Sequence, residues 1–232
     1  MYKKGLQKSL TCRHSTAPSA DDKYAQYLYM FPELAMVRLG KWQDILNDTT
    51  TISNEWSYAN LLNHFAKGMA FAKTGNLQKA EEQLGLLREA KRDKSLEERF
   101  DPISNRPAES ATVAENILLA TIRFQQKKYN DAIAALQAAI AVEDQLIYAE
   151  PKDWILPARQ YLGAILLQIN KPQQAEKIFR QDLAWNPGNG WSLVGLYQAL
   201  KAQGKTKDLA KLKEQYLHSF SEADEIPSSS VY

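Results

Sequence analysis

The residues best suited to chemistry are few and widely spaced. Cys12 and His14 flank Arg13 and offer two metal ligands. A zinc site takes three or four ligands in fixed geometry, and the other histidines, His64 and His218, stand far off in sequence. No metal is expected there. Acidic groups cluster at Glu143-Asp144 and at Glu150 with Asp153. Paired carboxylates can share acid and base duty, but no phosphate loop, nucleophile elbow or metal-ligand spacing accompanies these. They are expected at solvated helix ends and connections, with no catalytic residue and no cofactor. Tyr148, Pro151, Trp154 and Pro157, with Trp185 and Trp191 beyond them, have the residue types of a recognition platform. The competing reading has the stretch packing a long connection onto helices, with Trp191 starting a helix after Gly190.

The elements that would position these residues are helical pairs. Gly68 is followed twelve residues later by Ala80 across the break Gly75-Asn76. The same interval joins Ala120 to Ala132 across Lys127-Lys128-Tyr129, and Gly163 to Ala175 across Asn170-Lys171-Pro172. Weaker copies centre on Gly40-Lys41-Trp42 and Gly204-Lys205-Thr206. Taking Ile45, Ala80, Ala132, Ala175 and Leu209 as equivalent gives intervals of 35, 52, 43 and 34 residues. Two intervals are close to a bare 34-residue unit, and the surplus in the others is expected around Lys91–Glu109 and Ile147–Asp153. Helices are expected near 57–73, 77–92, 111–126, 131–147, 154–169, 172–184, 191–202 and 207–220, with a short one at 42–47 and an aromatic one from Asp22 to Leu39. Asn76 and Asn130 are the expected caps, and Pro172 suits a first helical position.

Repeated helical pairs stack into one elongated domain, here expected over 21–220. A loose segment (1–20) precedes it and a polar, frayed tail (221–232) follows. Apolar residues make up 44% of the chain, which excludes wholesale disorder. A formal charge of +2, with Lys and Arg interleaved among Asp and Glu, lacks the basic stripe that nucleic-acid binding requires. One cysteine precludes an internal disulfide. No apolar run is long enough to span a bilayer, and the basic residues at the start precede no secretion-signal core. A cytoplasmic protein with neither nucleic-acid nor membrane contact is expected.

The pattern resembles the tetratricopeptide repeat (TPR). Leu162-Gly163, Ala175, Phe179 and Pro187 match its small, small, large and proline positions. Gly68, Phe71, Ala80 and Leu84 give a second copy, and Leu119-Ala120, Ala132 and Leu136 a third. Small residues let paired helices approach while the large one fills the gap beside them. The stretch Tyr148–Leu200 is also similar to the C-terminal part of a group of bacterial TPR proteins with no established activity. The resemblance implies an all-α, right-handed superhelical solenoid of about five hairpins. It further implies a ligand face formed by the first helix of each hairpin.

At the motif's ligand-facing positions stand Leu62, Phe65, Ala66, Met69 and Lys73, then Ala114, Ile117, Leu118, Thr121 and Gln125. These do not make the carboxylate clamp of chaperone-binding members. The motif's fourth position carries His64, Asn116 and Arg159, a set able to grip a carboxylate or a peptide backbone or to hydrogen-bond repeats together. The implied function is a non-catalytic scaffold that binds a protein or peptide on its concave face, with His64, Asn116, Arg159, Trp154 and Trp191 as candidate contacts. An alternative is the C-terminal structural or oligomerisation part of a larger protein. Tyr24, Tyr27 and Phe31 would then form an apolar end that dimerises or meets further repeats. A third reading is a solenoid enzyme built on His64, Asn116 and Arg159.

Overall fold

A computed structural model describes residues 18–99, 104–150 and 152–232. All regular structure among them is helical. The elements are α1 (Lys23–Arg38), α2 (Trp42–Asn47), α3 (Ser57–Lys73), α4 (Leu77–Ala90), a 3-10 turn (Lys94–Glu97), α5 (Pro107–Gln125), α6 (Tyr129–Glu143), α7 (Ala158–Gln168), α8 (Pro172–Trp185), α9 (Gly190–Ala202) and α10 (Leu209–Ser219). Among the described residues no helix is long and apolar enough to cross a membrane.

Five chain reversals share one hydrogen-bonding scheme. After α1, α3, α5, α7 and α9 the backbone enters the left-handed region at Gly40, Gly75, Lys127, Asn170 and Gly204, with φ of 65, 87, 61, 57 and 69°. The next residue's N–H then reaches back five positions. Lys41 bonds Met36 O at 2.9 Å, Asn76 bonds Phe71 O at 2.9 Å, and Lys128 bonds Arg123 O at 2.8 Å. Lys171 bonds Leu166 O at 2.8 Å and Lys205 bonds Leu200 O at 3.0 Å. This closure satisfies carbonyls that the helix end leaves open. The left-handed residues recur at the intervals read from the sequence, so the repeat is a repeat of local backbone geometry.

Helix starts follow from local chemistry. Asn76 Oδ1 accepts from Lys79 N at 3.2 Å and caps α4. Pro107 and Pro172 occupy first-turn positions, where no N–H is needed. Three expectations shift. Helix α5 begins at Pro107 rather than near Ala111, because Glu109 Oε2 accepts from Arg106 N at 2.8 Å and closes the first turn. Helix α6 begins at Tyr129, with Lys128 at the cap position instead of Asn130. Helix α7 begins at Ala158, and Trp154 precedes it in irregular chain.

The contacts divide the chain into two compact units, where the sequence predicts one domain over 21–220. One unit ends at Leu156 and the other covers Pro157–Tyr232. In the N-terminal unit α1 packs on α3 and α3 on α5, so three first helices form a row; α3 pairs with α4 and α5 with α6. Gly68 permits the close α3–α5 approach, since a Cβ there would lie 2.6 Å from Leu118 Cδ2. Tyr58, Leu61, Phe65, Met69, Ile117 and Leu136 are buried in this core. Glu115 on α5 bridges Arg88 at 2.8 Å and Lys91 at 2.6 Å, tying one pair to the next.

In the C-terminal unit α7 and α9 both pack on α8 and on each other, and α10 closes on α9. Phe179 of α8 is fully buried between two glycines. A Cβ on Gly163 or Gly195 would lie 2.3 or 2.2 Å from its Cζ. A buried polar knot sits beside it. Gln160 Nε2 lies 3.3 Å from Asp182 Oδ2, 3.2 Å from Asn189 Oδ1 and 3.0 Å from Ser192 Oγ, and Ser192 also bonds Asp182. The tail expected to fray does not do so throughout. Pro227 and Ser230 are buried, because the end of the chain folds back onto its own unit.

Candidate functional site

The surplus connection after α6 is held against all three first helices of the N-terminal unit. On α1, the Tyr27 hydroxyl donates to Lys152 O at 2.9 Å. On α3, Phe65 meets the Trp154 ring edge-on at 5.3 Å. On α5, the Ser110 hydroxyl donates to Asp153 O at 3.2 Å. The Asn105 side chain acts as a clasp just before α5. Its Nδ2 donates to Ile147 O at 2.8 Å and Asp153 Oδ2 at 2.6 Å, while its Oδ1 accepts from Ile147 N at 2.7 Å. Trp154 satisfies its own indole by donating to Leu156 O at 2.7 Å. This polypeptide is irregular, so its polar groups find partners on helix side chains, as buried polar groups must.

The inner positions are correspondingly closed. Leu62, Phe65, Ala66, Met69, Ala114, Ile117 and Leu118 have no exposed surface, and Thr121 is buried. Tyr27 stacks on Tyr58 at 6.4 Å. Burial, before any charge effect, raises both phenols above their ordinary range, so both remain neutral donors.

Beside this segment opens a cavity of about 920 Å³. Its walls come from the start of α1 (Asp21, Asp22, Lys23, Tyr24), from Glu98 and Arg99 after the 3-10 turn, and from Tyr148, Glu150 and Asp153. The two cations are turned to backbone: Lys23 Nζ donates to Ala20 O, and Arg99 to Ser104 O. Asp22 caps α1 by accepting from Ala25 N at 2.7 Å, and the Tyr148 hydroxyl donates to Glu150. That bond is the main reason the Tyr148 phenol is raised. Five carboxylates therefore line the cavity against two cations already engaged, giving it acidic character.

The residues proposed from sequence fall in separate places. His64 is half-buried, with Nδ1 2.8 Å from Gln83 Oε1 across the α3–α4 pair. Burial lowers its pKa, which leaves the neutral ring with Nδ1–H donating. Asn116 donates to Thr112 O in its own helix at 2.9 Å. Arg159 is buried in the other unit. His64 and Asn116 thus each have a partner within the N-terminal unit. Trp154 is part of the seated segment. Trp191 meets the rings of Phe220 at 5.6 Å and Tyr232 at 5.7 Å. Tyr24 stands at the cavity rim, Phe31 packs edge-on to Tyr27 at 6.2 Å, and Tyr27 is interior at 1% exposure. Cys12, Arg13, His14, Pro102 and Pro151 lie outside the described residues. Among those described, no three His, Cys, Asp or Glu side chains are grouped to hold a metal.

Sequence reasoning missed Asn105 and Gln26. The Gln26 amide donates to Ser19 O at 2.9 Å and Ala20 O at 3.0 Å, and accepts from Tyr58 N at 3.0 Å and Ala59 N at 3.2 Å. Neither residue carries a local signal, since Asn105 bonds chain after α6 and Gln26 joins the start of α3 to the residues before α1. No family model, curated protein or solved structure matches this chain.

Proposed function

We propose that this chain is a non-catalytic scaffold of TPR-like helical hairpins that binds an extended segment of a partner protein. One observation carries the reading: the row α1, α3, α5 already holds irregular polypeptide, its own residues 152–154, through side chains of all three helices. The five equivalent reversals support the hairpin assignment. With the inner positions filled, the partner meets the N-terminal unit at the neighbouring cavity, whose carboxylates favour lysine and arginine side chains. His64, Asn116 and Trp154 then serve the fold of that unit, and Tyr24 and Tyr148 supply the aromatic rim.

The test is fluorescence anisotropy of a labelled lysine-rich decapeptide and of its glutamate-rich counterpart, titrated with the chain. The lysine peptide binds, weakens as salt rises through the Debye regime, and is lost on Glu98→Lys with Glu150→Lys. Equal binding of both peptides, or indifference to the charge reversal, contradicts the reading.

A second reading rests on Tyr24 and Leu28, which stand 36% and 42% exposed one turn apart on α1. That face joins two copies or a preceding segment. Sedimentation of wild type against Leu28→Lys separates the readings: a dimer lost on substitution favours self-association, and a monomer in both removes it.

A further inference from the structure

Residues 226–232 repeat in the C-terminal unit what 152–154 do in the other. Ser230 Oγ donates to Gln160 O of α7 at 3.0 Å and the residue has no exposed surface. Gln198 of α9 donates through Nε2 to Ser228 O. The Tyr232 ring meets Trp191 of α9 edge-on, with centroids 5.7 Å apart. Pro227 is buried as well. Residues 226–232 therefore reach two adjacent helices, engaging α7 through the Ser230 hydroxyl and α9 through Ser228 O and the Tyr232 ring.

Two features mark this contact as an occupied site rather than a core. First, the grip is thin: Ser228 is exposed, and Ser229, Val231 and Tyr232 are half-buried. Second, Gln160 Oε1 is buried with no donor, while the same amide's nitrogen faces Asp182, Asn189 and Ser192. A buried acceptor left open is unfavourable, and the tail in place does not supply the missing N–H.

We infer that residues 226–232 are a tethered, displaceable occupant of a peptide-binding face formed by α7 and α9. The face takes an uncharged, serine-containing peptide carrying an aromatic residue, and the tail closes it until such a peptide displaces it. This face is distinct from the acidic cavity of the N-terminal unit, so either reading can fail alone. A segment tethered by a short linker acts at an effective concentration of about 1 mM. Against an intermolecular Kd on the order of 100 μM, that weakens an external competitor about tenfold.

The test titrates a labelled peptide of sequence Ile-Pro-Ser-Ser-Ser-Val-Tyr with three full-length chains: wild type, Ser230→Glu and Pro227→Glu. Each substitution places a charge at a buried tail position and leaves α7 and α9 untouched. Both variants should bind the peptide about tenfold more tightly than wild type, with unchanged helical circular dichroism. Binding no tighter than wild type in both variants overturns the inference. So does loss of helicity in both, because a displaceable occupant is not required for the fold. Dimers of the wild type that vanish in both variants would give the tail to a second copy and overturn the closure in cis.

Discussion

Phe179 offers a quantitative check on how the C-terminal unit is packed. Its ring is fully buried, and ideal Cβ atoms on Gly163 and Gly195 would stand 2.3 and 2.2 Å from Cζ, with further ring atoms within 2.7 Å. In an open helix, Gly→Ala stabilises by roughly 1 kcal/mol through backbone entropy. Gly85 in α4 is such a case: it is exposed and has nothing within 4 Å of an added Cβ. At Gly163 the same methyl must displace the ring, and overpacking of this kind costs about 1–3 kcal/mol. Gly85→Ala should therefore raise stability by about 1 kcal/mol, and Gly163→Ala should lower it by about 1–2 kcal/mol. Phe179→Leu alone leaves a cavity and costs about 1–3 kcal/mol, but in the Gly163→Ala background the smaller side chain makes room for the methyl. A double-mutant cycle by urea unfolding should give a favourable coupling of about 1 kcal/mol or more. Additive effects, or a Gly163→Ala chain as stable as Gly85→Ala, would refute this packing.

Further outcomes follow from other parts of the molecule. Lys127 holds a left-handed conformation that glycine holds at the equivalent Gly75; Lys127→Gly should stabilise by about 1 kcal/mol and Gly75→Ala destabilise by about 1–2 kcal/mol in thermal unfolding. Glu176 is held down to about 2, first by its bond to Lys205 at 2.6 Å and then by Gln203 and Arg180. A depressed carboxylate stabilises above its unfolded value, so the Tm advantage over Glu176→Gln should be full above the ordinary glutamate value of 4.5 and fade as pH falls through about 2. A difference that does not change over that window would count against the bridge. His64 should titrate below its ordinary value by NMR because burial disfavours the cation. Its contribution to stability is then present above the unfolded value and lost as pH falls. Trp154→Ala should cost about 3–5 kcal/mol in the N-terminal unit, as for other buried aromatic truncations. A loss under 1 kcal/mol would mean the connection is not seated as described.

Much of the helical framework was legible because it is local. The breaks at Gly75-Asn76 and Gly204, and Pro172 at a helix start, declare themselves in residue type, and Gly163 with Phe179 follows from the spacing of small and large positions. Gly195 was not legible as a packing position, since only the fold brings it to the far side of the same ring. The site was less readable for the same reason. Asn105, Ser110 and Tyr27 reach residues 147–153 across more than forty positions of sequence, and no periodicity marks such pairs. His64 and Asn116 were singled out because polar residues at an apolar motif position are conspicuous. Gln83 and Thr112 O explain them as partners within one pair or one helix. The tail looks frayed because it is polar and without periodicity, yet the Ser230 hydroxyl bonded to Gln160 O and the Gln198 amide bonded to Ser228 O hold it in place.

The most direct measurement is exchange of the tryptophan indole N–H groups by NMR on the intact chain. If the connection after α6 is seated on α1, α3 and α5, Trp154, buried and bonded to Leu156 O, exchanges orders of magnitude more slowly than Trp185, which is 67% exposed. Equal exchange of the two would mean that residues 152–154 do not occupy this face, and the scaffold reading would lose its basis.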